Sequence, residues 1–136
     1  MENYLAIALI FALASIYGLW YQARSGRIKD SRAKAPALSS ADIGSELGQR
    51  VTLLQFSTAF CTPCRATRAL LADITSELDG AKHIDIDAEA NLGLARRLDI
   101  RSTPTTLLLD KYGMEVGRAV GAPKRDEVLA SLAEIK

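Results

Sequence analysis

The sequence has very little cysteine, histidine and net charge. Its 136 residues include two cysteines and one histidine, and the formal net charge is +1. Two cysteines are too few for a secreted scaffold held together by disulfides. A net charge near zero gives no overall field that would attract nucleic acid, so we expect no nucleic-acid partner. Beyond its N-terminal region the chain has no internal repeat, which excludes a repeat architecture.

Charged residues are also missing from residues 3–23, "NYLAIALIFALASIYGLWYQA". As a helix this stretch would span ~31 Å, about the hydrocarbon thickness of a bilayer. Tyr4 at one end and Trp20 and Tyr21 at the other suit the headgroup level. A cleaved signal peptide fits less well because Glu2 stands where a basic residue is expected. A buried core helix seldom runs this long without a polar face. We therefore predict a transmembrane anchor over residues 3–23.

The next segment, residues 24–37, is rich in Arg, Lys, Ser and Ala. We interpret it as a juxtamembrane linker, a solvated and flexible tether with a reach of ~20 Å. The alternative is that its cations bind anionic lipid headgroups.

The basic residues of this linker also predict on which side of the membrane the following domain lies. They are Arg24, Arg27, Lys29, Arg32 and Lys34, whereas Glu2 offsets the α-amino charge before the apolar run. The positive-inside rule then places the domain on the cytoplasmic side. The alternative is the extracytoplasmic side, where disulfides persist.

Residues 38–136 have the pattern of a small α/β domain. A short helix ended by Gly48 precedes the apolar strand "RVTLLQFS", and a helix with apolar residues at four-residue spacing starts at Pro63. "KHIDIDA" is a strand, "NLGLARRLD" a short helix, "TPTTLLLD" and "EVGRAVG" a hairpin, and "KRDEVLASLAEI" a final helix. This order predicts a mixed sheet with helices on both faces.

Both cysteines, Cys61 and Cys64, lie at the start of the helix that follows the first strand. A structural clip over so short a loop would contribute only ~2 kcal/mol. A zinc site needs about four ligands, whereas this chain offers two cysteines and one histidine, His83, so we expect no metal and no cofactor. A metal bridge between two chains is the alternative. In a reversible disulfide, the helix N-terminus would favour a thiolate at Cys61, with Cys64 one turn away. We therefore predict a redox pair.

Three segments resemble the thioredoxin family. They are "TLLQFSTAFCTPCRATRALL" with its Cys-x-Pro-Cys turn, "IRSTPTTLLLD", and the glycine turn "VGRAVGA". The resemblance covers residues 38–136 and implies a thioredoxin-like α/β fold, with a mixed central sheet and helices on both faces. It also implies the activity of a thiol–disulfide oxidoreductase.

The resemblance implies roles for individual residues. Cys61 would be the nucleophile and Cys64 the resolving thiol. Pro104 would be a cis-proline, and the backbone of Thr103 would pair with an extended substrate segment. The rim and tuning residues implied in the same way are Phe60, Thr62, Pro63, Gln55, Gly121 and Ala122.

Three departures from the family pattern affect the predicted chemistry. Phe60 stands where Trp is usual, and Thr62 replaces the usual Gly. Gln55 occupies the strand position where many thioredoxins bury an Asp, and Gln cannot titrate. His83 falls near the position of a family lysine, but we interpret it as a half-exposed strand residue.

The sequence as a whole predicts a membrane-tethered thiol–disulfide oxidoreductase. Because Pro63 is retained between the cysteines, we expect it to reduce disulfides of protein substrates and to be recycled by an unidentified electron donor. One alternative is an oxidase or isomerase of the same fold. Another is a redox-silent binding module that uses the groove at Pro104 to hold a membrane partner.

Overall fold

A computed structural model describes residues 1–30 and 36–135 of the chain. The described residues form five helices and five strands. In chain order these are α1 (Glu2–Arg24), β1 (Ile28–Asp30), α2 (Ser40–Ile43), β2 (Val51–Ser57), α3 (Thr62–Glu77), β3 (Ala81–Asp87), α4 (Leu92–Arg97), β4 (Thr105–Asp110), β5 (Glu115–Val120) and α5 (Arg125–Ala133).

The strands form a single mixed sheet in the order β1-β5-β4-β2-β3. β2 and β3 are parallel, and the other neighbouring pairs are antiparallel. Every residue of β2 is buried, because this strand has a neighbour on each side and helices on both faces. The predicted α/β architecture is therefore confirmed.

Successive residues of β2 point to opposite faces of the sheet and contribute to two separate cores. Leu53 packs with α3 and α5 on one face. Leu54 and Phe56 pack on the other face, with partly buried side chains of α2 and α4 against them. Gln55 alternates onto the same face as Leu53, so its amide lies beneath α3, the helix that begins at the cysteines.

α2 is shorter than the sequence indicated. Ser39 and Asp42 form a reciprocal capping box at its start, and Gly44 ends it with φ 75°. The prediction that Gly48 ends this helix was wrong, because Gly44 already supplies the left-handed conformation that terminates a helix.

α1 is a 23-residue helix with no buried residue. An 18-residue window of this helix has a mean hydropathy of 1.8, so α1 is long and apolar enough to cross a membrane, by length and composition. A signal sequence near an N-terminus passes the same test. The absence of burial in α1 excludes the interpretation of residues 3–23 as a buried core helix.

The stretch interpreted as a linker contains a strand. β1 pairs antiparallel with β5, in the register Ile28↔Ala119, Lys29↔Arg118 and Asp30↔Gly117. The description of residues 24–37 as a flexible tether was wrong for residues 28–30, because they pair with β5. The sequence did not reveal this strand, since three residues are too few to show the alternation typical of a strand. Residues 31–35 of the predicted linker lie outside the described residues.

Candidate active site

Cys61 and Cys64 form a disulfide at the N-terminus of α3. Cys61 is the N-cap residue, and its Sγ accepts a hydrogen bond from the backbone N–H of Cys64 at 3.2 Å. Pro63 lies in the first turn, where a helix has no use for a backbone N–H. Cys64 is 0% exposed, whereas Cys61 is partly exposed. Cys61 is therefore the sulfur that another molecule can reach.

The proline of the "STP" segment lies beside the cysteine loop. The Thr103–Pro104 peptide bond is cis, and Pro104 is buried. The hydroxyl oxygens of Thr58 and Thr103 are 3.4 Å apart, which joins this segment to the loop before Cys61. On its other side, the carbonyl oxygen of Pro104 accepts a hydrogen bond from the N–H of Gly121 at 2.8 Å. The fold thus brings three distant parts of the sequence to one site.

The side chains around this site are unusually accessible. Phe60, directly before Cys61, is 99% exposed. Thr62 and Ala122 are also exposed, and Gly121 turns the chain with φ 96°. An exposed aromatic ring next to a reachable disulfide forms a surface on which an apolar part of a partner can pack.

Gln55 lies directly beneath the cysteines and is fully buried. Its Nε2 donates a hydrogen bond to the carbonyl oxygen of Cys64 at 3.0 Å. Its Oε1 is 2.9 Å from Nε2 of His83 on β3. Since the amide nitrogen donates to Cys64, the amide oxygen is the acceptor, and Nε2 of His83 carries the hydrogen. Both ends of the amide are satisfied in this orientation.

His83 is half-buried on β3, as a strand residue should be, but the sequence did not indicate its bond to Gln55. Burial lowers the pKa of His83 below its usual value; the Asp85 carboxylate opposes this shift and the Arg68 guanidinium adds to it. The neutral imidazole is therefore favoured. The one available signal was the proximity of His83 to the position of a family lysine.

Asp85 binds two polar side chains near the site. It accepts hydrogen bonds from the Arg68 guanidinium and from the Ser57 hydroxyl, each at 2.6 Å. The charge of Arg68 is therefore paired with a carboxylate. In the part of the chain that the structure describes, no group of three or more His, Cys, Asp or Glu side chains is placed to hold a metal ion.

Comparison with known proteins identifies relatives of this domain. The family model for thioredoxin matches residues 37–134. A thioredoxin of Mycolicibacterium smegmatis is 36% identical over 86 residues, which cover 60% of this chain and 75% of that protein. The rice thioredoxin H4-1 (Oryza sativa subsp. japonica) is 31% identical over 87 residues, or 62% of this chain. The chain spans 66% of that rice protein, and 62% and 56% of two further rice thioredoxins, which is less than two thirds of their length.

Solved structures agree with the sequence relatives on the fold. The thioredoxin of Fasciola hepatica superposes with a TM-score of 0.58 at 21% identity, covering 65% of this chain and 84% of that one. A thioredoxin of Schistosoma mansoni gives a TM-score of 0.57 at 21% identity, with 65% and 82% coverage. The matched family segment begins after β1, so α1 and β1 lie outside it.

Proposed function

The chain belongs to the thioredoxin family, and we propose that it is a membrane-tethered thiol–disulfide oxidoreductase that reduces disulfides in other proteins. The observation that carries this proposal is the Cys61–Cys64 disulfide at the N-terminus of α3, beside the cis peptide bond before Pro104. One sulfur is reachable and the other is buried behind it. This asymmetry suits a pair in which one thiol attacks and the other resolves.

The reaction starts from the dithiol form. The Cys61 thiolate attacks one sulfur of a substrate disulfide; the substrate S–S bond breaks, a mixed disulfide forms and one substrate thiolate leaves. Cys64 then loses its proton and attacks the sulfur of Cys61, which releases the second substrate thiolate. Two electrons pass to the substrate, and two protons, one of them from Cys64, end on its thiols. A dithiol donor must return two electrons to the Cys61–Cys64 disulfide.

The surroundings of the pair supply orientation for these steps. The helix N-terminus favours negative charge on Cys61. As the family resemblance implies, the backbone at Thr103 would pair with an extended substrate segment, a mode in which main-chain hydrogen bonds provide affinity without a sequence requirement. The exposed ring of Phe60 provides an apolar contact on the same rim.

Gln55 changes how the resolving step is controlled. Its amide donates to Cys64 and carries no titratable proton, so it cannot accept the proton of the Cys64 thiol. That proton goes to solvent or to the departing substrate thiolate. The amide instead fixes the backbone of Cys64 from below and keeps the positive end of a dipole beneath this cysteine.

The direction of electron flow rests on the residues between the cysteines. Pro63 is the proline that thioredoxins have at this position, which favours a reductant. Thr62 departs from the family pattern, and an oxidase or isomerase of the same fold is the alternative.

The membrane part of the proposal rests on α1 and the charges after it. α1 has no buried residue, and an 18-residue window of it is apolar enough to span a bilayer. The cations that follow it support a cytoplasmic position of the domain, because the positive-inside rule favours basic flanks on that side. There Cys61 would meet a reducing environment, in keeping with a reductase. In intact cells treated first with a permeant reductant, a membrane-impermeant maleimide should leave Cys61 unlabelled until the membrane is permeabilised. Labelling without permeabilisation would place the domain outside.

Dithiothreitol-driven reduction of insulin tests the activity itself. The full chain in detergent should accelerate insulin precipitation, and the double variant Cys61→Ser/Cys64→Ser, folded to the same extent by circular dichroism, should not. If the wild-type chain, with both thiols shown to be free at the start, gives no acceleration, the domain is a redox-silent binding module.

A further inference from the structure

The anchor helix is joined to the redox domain without a flexible segment. The helical hydrogen-bond ladder of α1 continues past its last residue, because the N–H of Ser25 donates to the carbonyl oxygen of Tyr21 at 3.0 Å. The next residue already belongs to the domain: the N–H of Gly26 donates to the carbonyl oxygen of Val120 at 2.7 Å. Two residues of chain span at most about 7 Å, so Arg24 at the end of α1 lies close to β5.

The contact between Gly26 and the domain is closely packed. Gly26 is buried with φ 81°, and a Cβ built on it would overlap the carbonyl oxygen of Ala122. On the facing side, a Cβ on Gly121 would overlap the Ser25 hydroxyl. Glycine at these two positions is what allows the two backbones to approach. β1 then continues this contact along the edge of β5.

The residues of the domain that contact the end of the anchor segment include Gly121 and Ala122, which lie at the rim of the redox site. Gly121 donates its N–H to the carbonyl oxygen of Pro104, and Thr103 contacts Thr58 in the loop that leads to Cys61. The end of α1 therefore contacts Gly121, which is itself hydrogen-bonded to Pro104 in the segment proposed above to bind a substrate.

The charges on this side agree with a position at lipid headgroups. An open groove between the last turn of α1 and β5 is lined by Arg24, Arg27 and Lys29, together with the rings of Trp20 and Tyr21. The Arg24 guanidinium lies 4.3 Å from the centre of the Trp20 ring. Cations and amphipathic aromatic rings are the side chains that anionic headgroups and the membrane interface favour.

From these contacts we propose that the rim of the redox site (Phe60, Thr62, Gly121 and Ala122) is fixed at the membrane surface. The substrates would then be disulfides of membrane-bound proteins, close to the bilayer. This proposal rests on the membrane tether and the reductase activity proposed above. A disulfide carried far above the bilayer is out of reach, because the domain cannot swing away from α1 while Gly26 and β1 are seated on β5.

The test uses the full chain in liposomes that contain anionic lipid, together with two single-span peptides. One peptide carries a disulfide-closed loop directly after its span, and the other carries the same loop beyond a rigid helical spacer of about 27 residues, ~40 Å. The reduced wild-type chain should open the near loop at least about tenfold faster than the far one, since the seated domain has a high effective concentration only near the surface.

Two matched insertions distinguish the effect of the contact between Gly26, β1 and β5 from the effect of tether length. A twenty-residue Gly/Ser insertion between Arg24 and Ser25 adds a reach of ~25 Å between α1 and the seated domain, and should bring the two rates within about threefold. The same insertion between Pro36 and Ala37 leaves Ser25, Gly26 and β1 on β5 and should keep the tenfold preference. Both variants should reduce soluble insulin as the wild-type chain does.

Each contrary outcome would contradict a different part of the proposal. Equal rates on the two peptides, with insulin reduction intact, would overturn the fixed rim and leave the reductase function standing. Loss of the preference in both insertion variants would show that tether length alone sets the reach, and would also overturn it. Failure to reduce insulin and both peptides would overturn the proposed function together with this inference.

Discussion

Gln55 donates a hydrogen bond from its side-chain amide to the backbone carbonyl of Cys64, 3.0 Å away and fully buried. Many thioredoxins bury an Asp at the position that corresponds to Gln55. Here the group beneath the resolving cysteine is a donor that His83 orients from the opposite end of the amide. The site has therefore exchanged a titratable acceptor for a fixed donor, and the first two predictions test what this exchange does.

The variant Gln55→Asp should be less stable than the wild-type chain by roughly 1–3 kcal/mol, because it removes two hydrogen bonds and buries a carboxyl group. Burial raises the pKa of such a carboxyl above its unfolded value of ~3.9. The unfolded state then releases its proton first, so the deficit should grow as pH rises above about 4. Denaturant unfolding of the detergent-solubilised chain at several pH values measures this.

The same variant should gain a new inflection in the pH profile of insulin reduction. Gln55→Leu is the matched control, since it also loses both hydrogen bonds but adds no titratable group; its profile should keep the wild-type shape. An Asp variant with the wild-type profile would mean that this position does not act on the cysteines.

A second prediction concerns His83, whose pKa is lowered by burial in the folded chain. Below the unfolded value of ~6.5 the unfolded state binds the proton more readily, so this residue should make the chain lose stability as pH falls through and below ~6.5. His83→Gln can still donate to Gln55 but does not titrate. Its stability should fall less than that of the wild-type chain between pH 7 and pH 5. Parallel curves for the two proteins would contradict the assignment.

A third prediction follows from the unequal exposure of the two sulfurs. Cys64→Ser should accumulate mixed disulfides through Cys61, because the resolving thiol is missing. Cys61→Ser should trap almost none, since Cys64 is buried behind the first turn of α3. Non-reducing gels after incubation with a disulfide-containing protein measure both. Equal trapping by the two variants would show that the roles are assigned wrongly.

The glycines offer a fourth, paired prediction. Gly121→Ala should destabilise the chain by about 1–3 kcal/mol, because φ is 96° and the added Cβ meets Ser25. Gly93→Ala, in α4 with nothing within 4 Å of the added atom, should be neutral or stabilise by up to ~1 kcal/mol. Thermal unfolding in detergent distinguishes the pair. A neutral Gly121→Ala would mean that Gly121 and Ser25, at the end of the anchor helix, are not closely packed.

Much of the domain could be read from the sequence because local patterns coincide with long-range contacts there. The apolar run of β2 and the four-residue spacing of α3 have the periods of the structures they form. The cysteines could be placed at a helix N-terminus because Pro63 fits the first turn and little else in a helix.

The features that escaped prediction depend on contacts between distant segments. β1 exists because β5 offers an unpaired edge, and nothing in "IKD" reveals that partner. The bond between Gln55 and His83 depends on the parallel pairing of β2 with β3, which positions two residues 28 apart in sequence. Gly26 carries no sign of its burial, since only the fold brings Ala122 against it.

The reduction potential of the Cys61–Cys64 pair tests the central proposal most directly. It can be measured in the full chain by equilibration with glutathione or dithiothreitol buffers of known ratio, with the double serine variant as the blank. Proteins of this fold range from about −270 mV for reductants to about −120 mV for strong oxidants. A reductase should have a value near the reducing end, close to about −270 mV. A value of about −120 mV would contradict the proposed function and identify the chain as an oxidase.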